Sequence, residues 1–513
     1  MTVIVGSSLA RPVFDACDVV VVGSGAGGAV VAAELASFGL DVVIVEEGPM
    51  VPRTEYASLS PMRTLRRIGR EAGLAVALGL GATPVISTLA GRVVGGSSTL
   101  TGGVCFRIPA AVLHEWQRDR GLATLGEDAL APHFDAVERR IHVEEVPPHM
   151  RPRGTERFIE GAAKIGVPMK PLRRNTHGCH GESRCNFGCP HGAKLSVDVT
   201  YLPDAFARGA RLYSDALVEK VETAHNRAFG VRGVFRRDGD RSAVPFVIRA
   251  KTVVVACGAL HTPLLLARSG ITSREVGRNL TLHPAFRVAG LWDERLEHWD
   301  GALQSVYSDE ETHGEAGLTF VAAASAPSIL SAAFPGVGAA HRALAEKLPE
   351  LGVFGGMVHD DAGGRVRRFI GREPLVTYRM SARDRARMFR GIRLLGEMAF
   401  AGGARAVLLP IFGLPPVTRA SDLAALEESP PPAHRVECMS FHPLGSARMS
   451  ARADAGVVKE SGESWQVDNL FVADGSVVPT SIGVNSQLPI MAMARRIAHR
   501  IATDWSTLAR RAS

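Results

Sequence analysis

"DVVVVGSGAGGAVVAAELASFGLDVVIVEEGP", residues 18–49, decides the fold. The valine run reads as a strand buried on both faces, the glycine turn follows it, and an Ala- and Val-rich helix leads into a second apolar strand that closes at Glu46. Gly23, Gly25 and Gly28 occupy the three positions of G-x-G-x-x-G. The first makes the tight turn, the second lets backbone approach a pyrophosphate, and the third lets helix pack on strand. Glu46 stands about twenty residues on, where a carboxylate accepts hydrogen bonds from a ribose hydroxyl. The unit predicts an α/β nucleotide-binding fold.

At 513 residues the chain is too long for one ordinary core, and 46% hydrophobic against 22% charged residues is a globular balance. The formal charge of +7 is spread among interleaved acidic residues, which argues against a nucleic-acid partner. One local exception is "MRTLRRIGREAG", where Arg63, Arg66, Arg67 and Arg70 fall at i, i+3, i+4 and i+7 and would share one helical face. Such a face is either solvated or docks on an anionic membrane surface. The uncharged run at 72–91 meets the length test for a membrane span, but four glycines and Pro84 break it, so a buried strand pair or loop is expected. Seven cysteines form no disulfide framework, and the first residues lack the pattern of a secretory signal, so a cytoplasmic address is expected, with peripheral membrane contact as the variant.

Two later stretches return to the nucleotide end. "AKTVVVACGALHTPLLLARSG" (250–270) is an apolar strand followed by a helix, and so is the stretch that passes Asp474 and Gly475 and enters a helix near Asn485. The usual assembly of such segments sets Asp474 beside the sugar-phosphate chain and aims the last helix's dipole at an electron-rich ring. A flavin fits that arrangement better than a nicotinamide.

"GRVVGGSSTLTGG" (91–103), "GALHTPLLLARSGI" (258–271), "VGRNLTLHP" (276–284), "FHPLGSARM" (441–449) and "LFVADGSVVPTSIGVN" (470–485) carry a resemblance to the glucose-methanol-choline oxidoreductases, particularly bacterial relatives of long-chain alcohol and sterol oxidases. The resemblance runs from residue 18 to the C-terminus and is weakest over about 286–430. It implies a Rossmann-like FAD-binding domain from 15–115, 195–285 and 435–513, and a substrate-binding domain on an antiparallel sheet from 116–194 and 286–434. It also implies FAD at Gly95, Gly96, Ser97 and the residues above, where a small residue lets backbone approach the cofactor. Relatives usually carry Asn at Thr101 and Pro at Ser486; some tether flavin through a His where Leu100 stands, so FAD is expected to be non-covalent.

Cys179, Cys185 and Cys189, spaced C-x5-C-x3-C and followed by Pro190, suit either reduced thiols in a compact loop or ligands for zinc or an iron-sulfur cluster, with His177, His180 and His191 nearby. Packing thiols are the preferred reading, with no metal.

By itself, a His before Pro reads as a loop residue as readily as a catalyst. The resemblance makes His442 the general base that takes an alcohol's hydroxyl proton and Asn485 the group that orients that hydroxyl. The implied reaction oxidises a small-molecule alcohol, apolar by analogy, to an aldehyde or ketone, with oxygen or a carrier as final acceptor. The rival reading is a hydroxynitrile-lyase-like flavoprotein in which the flavin is redox-inert.

Overall fold

The computed structural model describes every residue except 1, 74, 237–242, 311–316, 333–336, 362, 370 and 513. One sheet runs Val3–Val5, Arg211–Ser214, Val42–Val45, Val13–Val22, Ala243–Val255, Arg227–Arg236 and Ala216–Ala224, with Leu470–Val472 added beside Ala243–Val255. Its centre is parallel: Val19 to Val22 lie between Val42 to Val45 on one side and Thr252 to Val255 on the other. Val19 to Val22 are also no more than 4% exposed, so neither face of the strand meets solvent, which is why the sequence shows valines in a row instead of alternation.

Parallel neighbours require a crossover, and the helix Ala26–Ser37 supplies it. Gln487–Thr503 packs against it, and the contact demands small residues. A Cβ on Gly27 would stand 1.8 Å from the Ala473 carbonyl oxygen, and one on Gly28 would stand 2.0 Å from that of Gly23. The third motif glycine thus serves packing, as its spacing predicts.

The second sheet runs Gly364–Arg368, Pro374–Tyr378, Val76–Gly79, Ile86–Thr88, Cys438–Ser440, Ala285–Leu291, Leu351–Val358, Leu318–Ala323, Gln304–Ser308 and Lys170–Pro171. It is largely antiparallel; Pro374–Tyr378 with Val76–Gly79 and Cys438–Ser440 with Ile86–Thr88 are parallel pairs. The helix Ala382–Ala401 covers part of one face, where Phe389, Ile392 and Leu395 join Phe286 and Leu318 in a core. Its first turn is capped by the Ser381 hydroxyl, which accepts from the Asp384 amide at 3.0 Å. The fold is the expected α/β arrangement with a second, antiparallel sheet. Val76–Gly79, Ile86–Thr88 and Cys438–Ser440, grouped by the sequence segments with the nucleotide part, pair in this second sheet.

Two local expectations are corrected. The helix Pro61–Ile68 ends before Arg70, so the four arginines do not share one face. Arg70 is buried and donates to Glu47 at 2.7 Å and Glu373 at 3.3 Å, while Arg67 pairs with Glu55 at 3.0 Å. A buried guanidinium needs those carboxylates, and the pairing overrides helical periodicity. The uncharged run at 72–91, of which residue 74 lies outside the described residues, forms the strand pair, but Val76, Leu78 and Val85 are exposed at 42%, 44% and 52%. Among the described residues no helix is long and apolar enough to cross a membrane.

Candidate active site

Three turns meet at the C-terminal ends of the parallel strands. Gly23 sits at φ +101° and begins the first; Gly95 and Gly96 sit at +96° and +54° in the second. A Cβ on Gly96 would lie 2.7 Å from Gly25 Cα, whereas one on Gly25 would meet nothing nearer than Gly96 Cα at 3.9 Å. Gly258, φ +79°, would meet nothing within 4 Å. Packing therefore leaves open space beside Gly25 and Gly258. The helix Ala26–Ser37 begins there without a side-chain cap, leaving its first amide donors for an anion.

Glu46 organises the first turn. One carboxylate oxygen accepts from the Ser24 amide at 2.9 Å and hydroxyl at 2.7 Å, and the other accepts from the Gly48 amide at 2.8 Å. The Ser24 hydroxyl in turn accepts from the Gly95 amide at 3.0 Å, joining the first two turns. A carboxylate offers about four acceptor sites, so one remains for a ribose hydroxyl. Asp474 joins the rest: it accepts from the Gly258 amide at 2.8 Å, the Thr262 hydroxyl, and the amide and hydroxyl of Ser476. Gly475 follows it in the turn, and burial pushes the Asp474 carboxyl above its ordinary range. Ser97 is exposed and accepts from the Gly91 amide at 3.0 Å.

The helix Gln487–Thr503 also lacks a side-chain cap, and its buried N-terminal Gln487 accepts from the Thr101 hydroxyl at 2.6 Å. Gln487 Nε2 is buried without a partner among the described residues. A polar acceptor from a bound flavin would satisfy that donor, and the positive end of the helix dipole favours negative charge beside it. Leu100 is buried with Tyr56, Ile68 and Val93.

His442 and Asn485 come together: Asn485 Nδ2 lies 3.1 Å from His442 Nε2. Sequence reading missed the residues that hold them. His283 Nε2 accepts from the amides of Ile482 and Gly483, each at 3.2 Å, so neutral His283 carries its proton on Nδ1, 3.4 Å from His442 Nδ1. The shorter Asn485 contact decides the tautomer: its amide donates to Nε2, so the His442 proton sits on Nδ1, and the 3.4 Å approach to His283 sets two N–H groups face to face and is no hydrogen bond. Burial, with His283 adding to it, lowers His442 to about 3 and leaves the imidazole neutral.

Beneath the pair, buried Asp360 accepts from the Leu282 and His283 amides at 3.0 and 3.2 Å, the Ser481 hydroxyl at 2.9 Å and the Tyr378 hydroxyl. His359 and Thr319 contact the carbonyls of Ser481 and Gly483 at 3.2 and 3.1 Å. The second sheet thereby fixes the loop that delivers Asn485. The "NLTLHP" stretch contained His283; Asp360 lies in the region of weakest resemblance and had no sequence signal.

The cysteine loop packs against the glycine turn. Lys194, 2% exposed, donates to the carbonyls of Thr99, Thr101 and Cys185 at 2.7, 3.0 and 2.8 Å. Arg174, also buried, donates to Gly102 O and to Cys185 Sγ, both at 2.9 Å. Burial pushes the Lys194 ammonium down to about 8. Among the described residues no group of three or more His, Cys, Asp or Glu side chains could hold a metal ion, and Cys179, Cys185 and Cys189 do not converge on one.

The N-terminal pattern of the GMC oxidoreductases matches residues 17–285, and the C-terminal pattern matches 372–494. The chain belongs to the GMC oxidoreductase family. A GMC-type oxidoreductase of Mycobacterium tuberculosis is 37% identical over 97% of this chain and 77% of its own length. A long-chain-alcohol oxidase of Arabidopsis thaliana is 30% identical over 94% of the chain and 67% of its own. Pyridoxine 4-oxidase from Mesorbium loti superposes with a TM-score of 0.73 at 19% identity, covering 94% of this chain and 98% of that one. The GMC oxidoreductases are flavoenzymes, and the two uncapped helix ends, the open space at Gly25 and Gly258 and the orphaned Gln487 amide fit FAD.

Proposed function

We propose that this GMC oxidoreductase oxidises an apolar alcohol to the corresponding aldehyde or ketone, with His442 as general base and Asn485 as the residue that orients the hydroxyl. The observation that carries this reading is the neutral His442 imidazole, its Nε2 lone pair turned toward the Asn485 amide 3.1 Å away. A substrate hydroxyl that replaces the amide at the single Nε2 lone pair gives its proton to Nε2 and is held by an amide N–H of Asn485, which does not compete for the proton. FAD, when bound, supplies the hydride acceptor. Gly23, Gly25, Gly28, Glu46, Gly95, Gly96, Ser97, Asp474 and Gly475 would hold it, without a covalent tether because Leu100 offers no nucleophile.

An apolar substrate is supported by the long-chain-alcohol oxidase relatives. The cysteine loop is proposed as packing that braces the glycine turn. Anaerobic mixing of the FAD-loaded protein with alcohols graded by chain length tests the reaction: bleaching of the oxidised flavin absorbance by apolar alcohols is expected. A flavin that no alcohol reduces, together with cleavage of a cyanohydrin, would transfer the chain to the lyase reading.

A further inference from the structure

The edge of the second sheet carries a side-chain pattern that a solvent face does not explain. Strand register lines up Val366, Val376, Ala77, Ile86 and Cys438 in one row across five strands, and all are buried, at 4%, 3%, 0%, 0% and 2% exposure. The neighbouring rows must therefore face outward. One contains Arg365, Thr377 and Leu78; another contains Val76, Ser87 and Met439. A half-buried sheet ordinarily turns polar side chains to water, yet Val76, Leu78, Leu80 and Val85 are 40% to 52% exposed here. Phe441, two residues beyond Met439 and adjacent to His442, is 47% exposed.

The edge strand Gly364–Arg368 carries charge of one sign. Arg365 and Arg367 are exposed on the edge strand, their register partners Thr377 and Leu375 being outward-facing, and Arg379 follows at the alternating position beyond Thr377. These three arginines make no ion pair among the described residues, in contrast to Arg70 and Arg372, which pair with Glu47. Aliphatic side chains flanked by unpaired guanidinium groups match the two layers of an anionic lipid surface: acyl chains for Val76, Leu78 and Val85, and headgroup phosphates for the arginines.

We propose that this sheet face docks the enzyme peripherally on an anionic membrane, through Val76, Leu78, Leu80 and Val85 with Arg365, Arg367 and Arg379. Phe441 then stands at the lipid boundary next to His442, so an apolar substrate dissolved in the bilayer has a short route to the site. The docking surface does not depend on His442 acting as a base, and it is distinct from the helix Pro61–Ile68 suggested by the basic sequence pattern.

The test is flotation of the FAD-loaded enzyme with vesicles of phosphatidylcholine, with and without phosphatidylglycerol. The expected result is binding to the phosphatidylglycerol vesicles that falls with salt, and little binding to pure phosphatidylcholine. Arg365→Glu with Arg367→Glu should weaken binding by roughly thirty-fold or more, since each basic group near such a surface contributes a factor of about five. Leu78→Ser with Val76→Ser should abolish insertion while FAD content and melting temperature stay unchanged, because both side chains already face outward. Absence of binding to phosphatidylglycerol vesicles at low salt, or equal binding by the variants, overturns the proposal. So does a wild-type dimer in sedimentation velocity that Leu78→Ser dissolves without any lipid binding, which would make the face an interface between two copies of the chain.

Discussion

The amide of Asn485 and the imidazole of His442 meet at 3.1 Å although 43 positions separate them in the chain. The segment between them crosses the first sheet as Leu470–Val472 and turns back through Asp474, whose carboxylate ties Gly258, Thr262 and Ser476. One residue thus comes from a strand end of the second sheet, the other from the N-terminus of the last long helix. His442→Ala should leave FAD bound, because no part of the glycine cradle rests on this ring, and should slow anaerobic flavin reduction by roughly 10² to 10⁴. Stopped-flow traces at the wild-type rate, with normal FAD content, would remove His442 from the proton-transfer role.

Asn485→Asp separates orientation from charge. The wild-type amide donates to His442 Nε2 and so selects the tautomer that can accept a proton. A carboxylate in its place accepts instead, favours a proton on Nε2 and stabilises the imidazolium. The His442 pKa should rise from about 3 toward or beyond its ordinary 6.5. Flavin reduction should then fall as pH is lowered across neutrality, whereas wild type should show no loss from His442 in that range. Rates measured between pH 5 and pH 9 that keep the same profile in both proteins would contradict the tautomer assignment.

How far the sequence could reach depended on whether a feature is local. The turn at Gly23, the crossover helix and the uncapped start at Gly25 follow from a short stretch, because each glycine answers a contact within its own unit or with the adjacent strand. His442 and Asn485 were legible only through resemblance. Asp360 was not legible: its function is to accept from Leu282, His283, Ser481 and Tyr378, which only the tertiary fold assembles. Arg70 misled for the same reason, since helical spacing counts a charge as exposed until Glu47 is seen beside it. The outward face of Val76 and Leu78 was hidden likewise; apolar residues in a strand read as buried unless register shows which face the core takes.

Acid should destabilise the protein through its buried histidines. His298 is shielded at 1% exposure, Nε2 donating to the carbonyls of Ala323 and Val353 at 3.0 Å, and burial lowers its pKa to about 4. The unfolded chain binds a proton near 6.5, the folded protein only near 4, so folding stability is complete above 6.5 and declines as pH falls through that window. Glu46 and Asp474, raised by burial, act in the opposite sense. A difference measurement therefore isolates the histidine. His298→Gln keeps a donor, removes the titration, and should flatten the dependence of urea-unfolding free energy on pH by an amount on the order of a few kcal/mol across the window. Parallel curves for the two proteins would show that His298 titrates normally.

Lys194→Met tests whether the cysteine loop braces the cofactor turn. The ammonium is the shared donor for Thr99, Thr101 and Cys185, so it fastens the loop after Cys179 to the stretch that follows Gly95 and Gly96. Methionine fills similar volume but leaves three carbonyls without that donor, and each buried acceptor left unsatisfied costs about 1–3 kcal/mol. The cost falls on the turn that faces Gly25 across the open cradle. The expected outcome is a lower melting temperature together with FAD lost during gel filtration, while His442 and Asn485, held separately by the Asp360 network, keep their arrangement. Adding excess FAD should therefore restore flavin reduction by alcohol to near the wild-type rate. A variant that retains FAD and melts like wild type would show that Lys194 contributes nothing to the cradle, and a variant that regains FAD but not the rate would place Lys194 in the catalytic step instead.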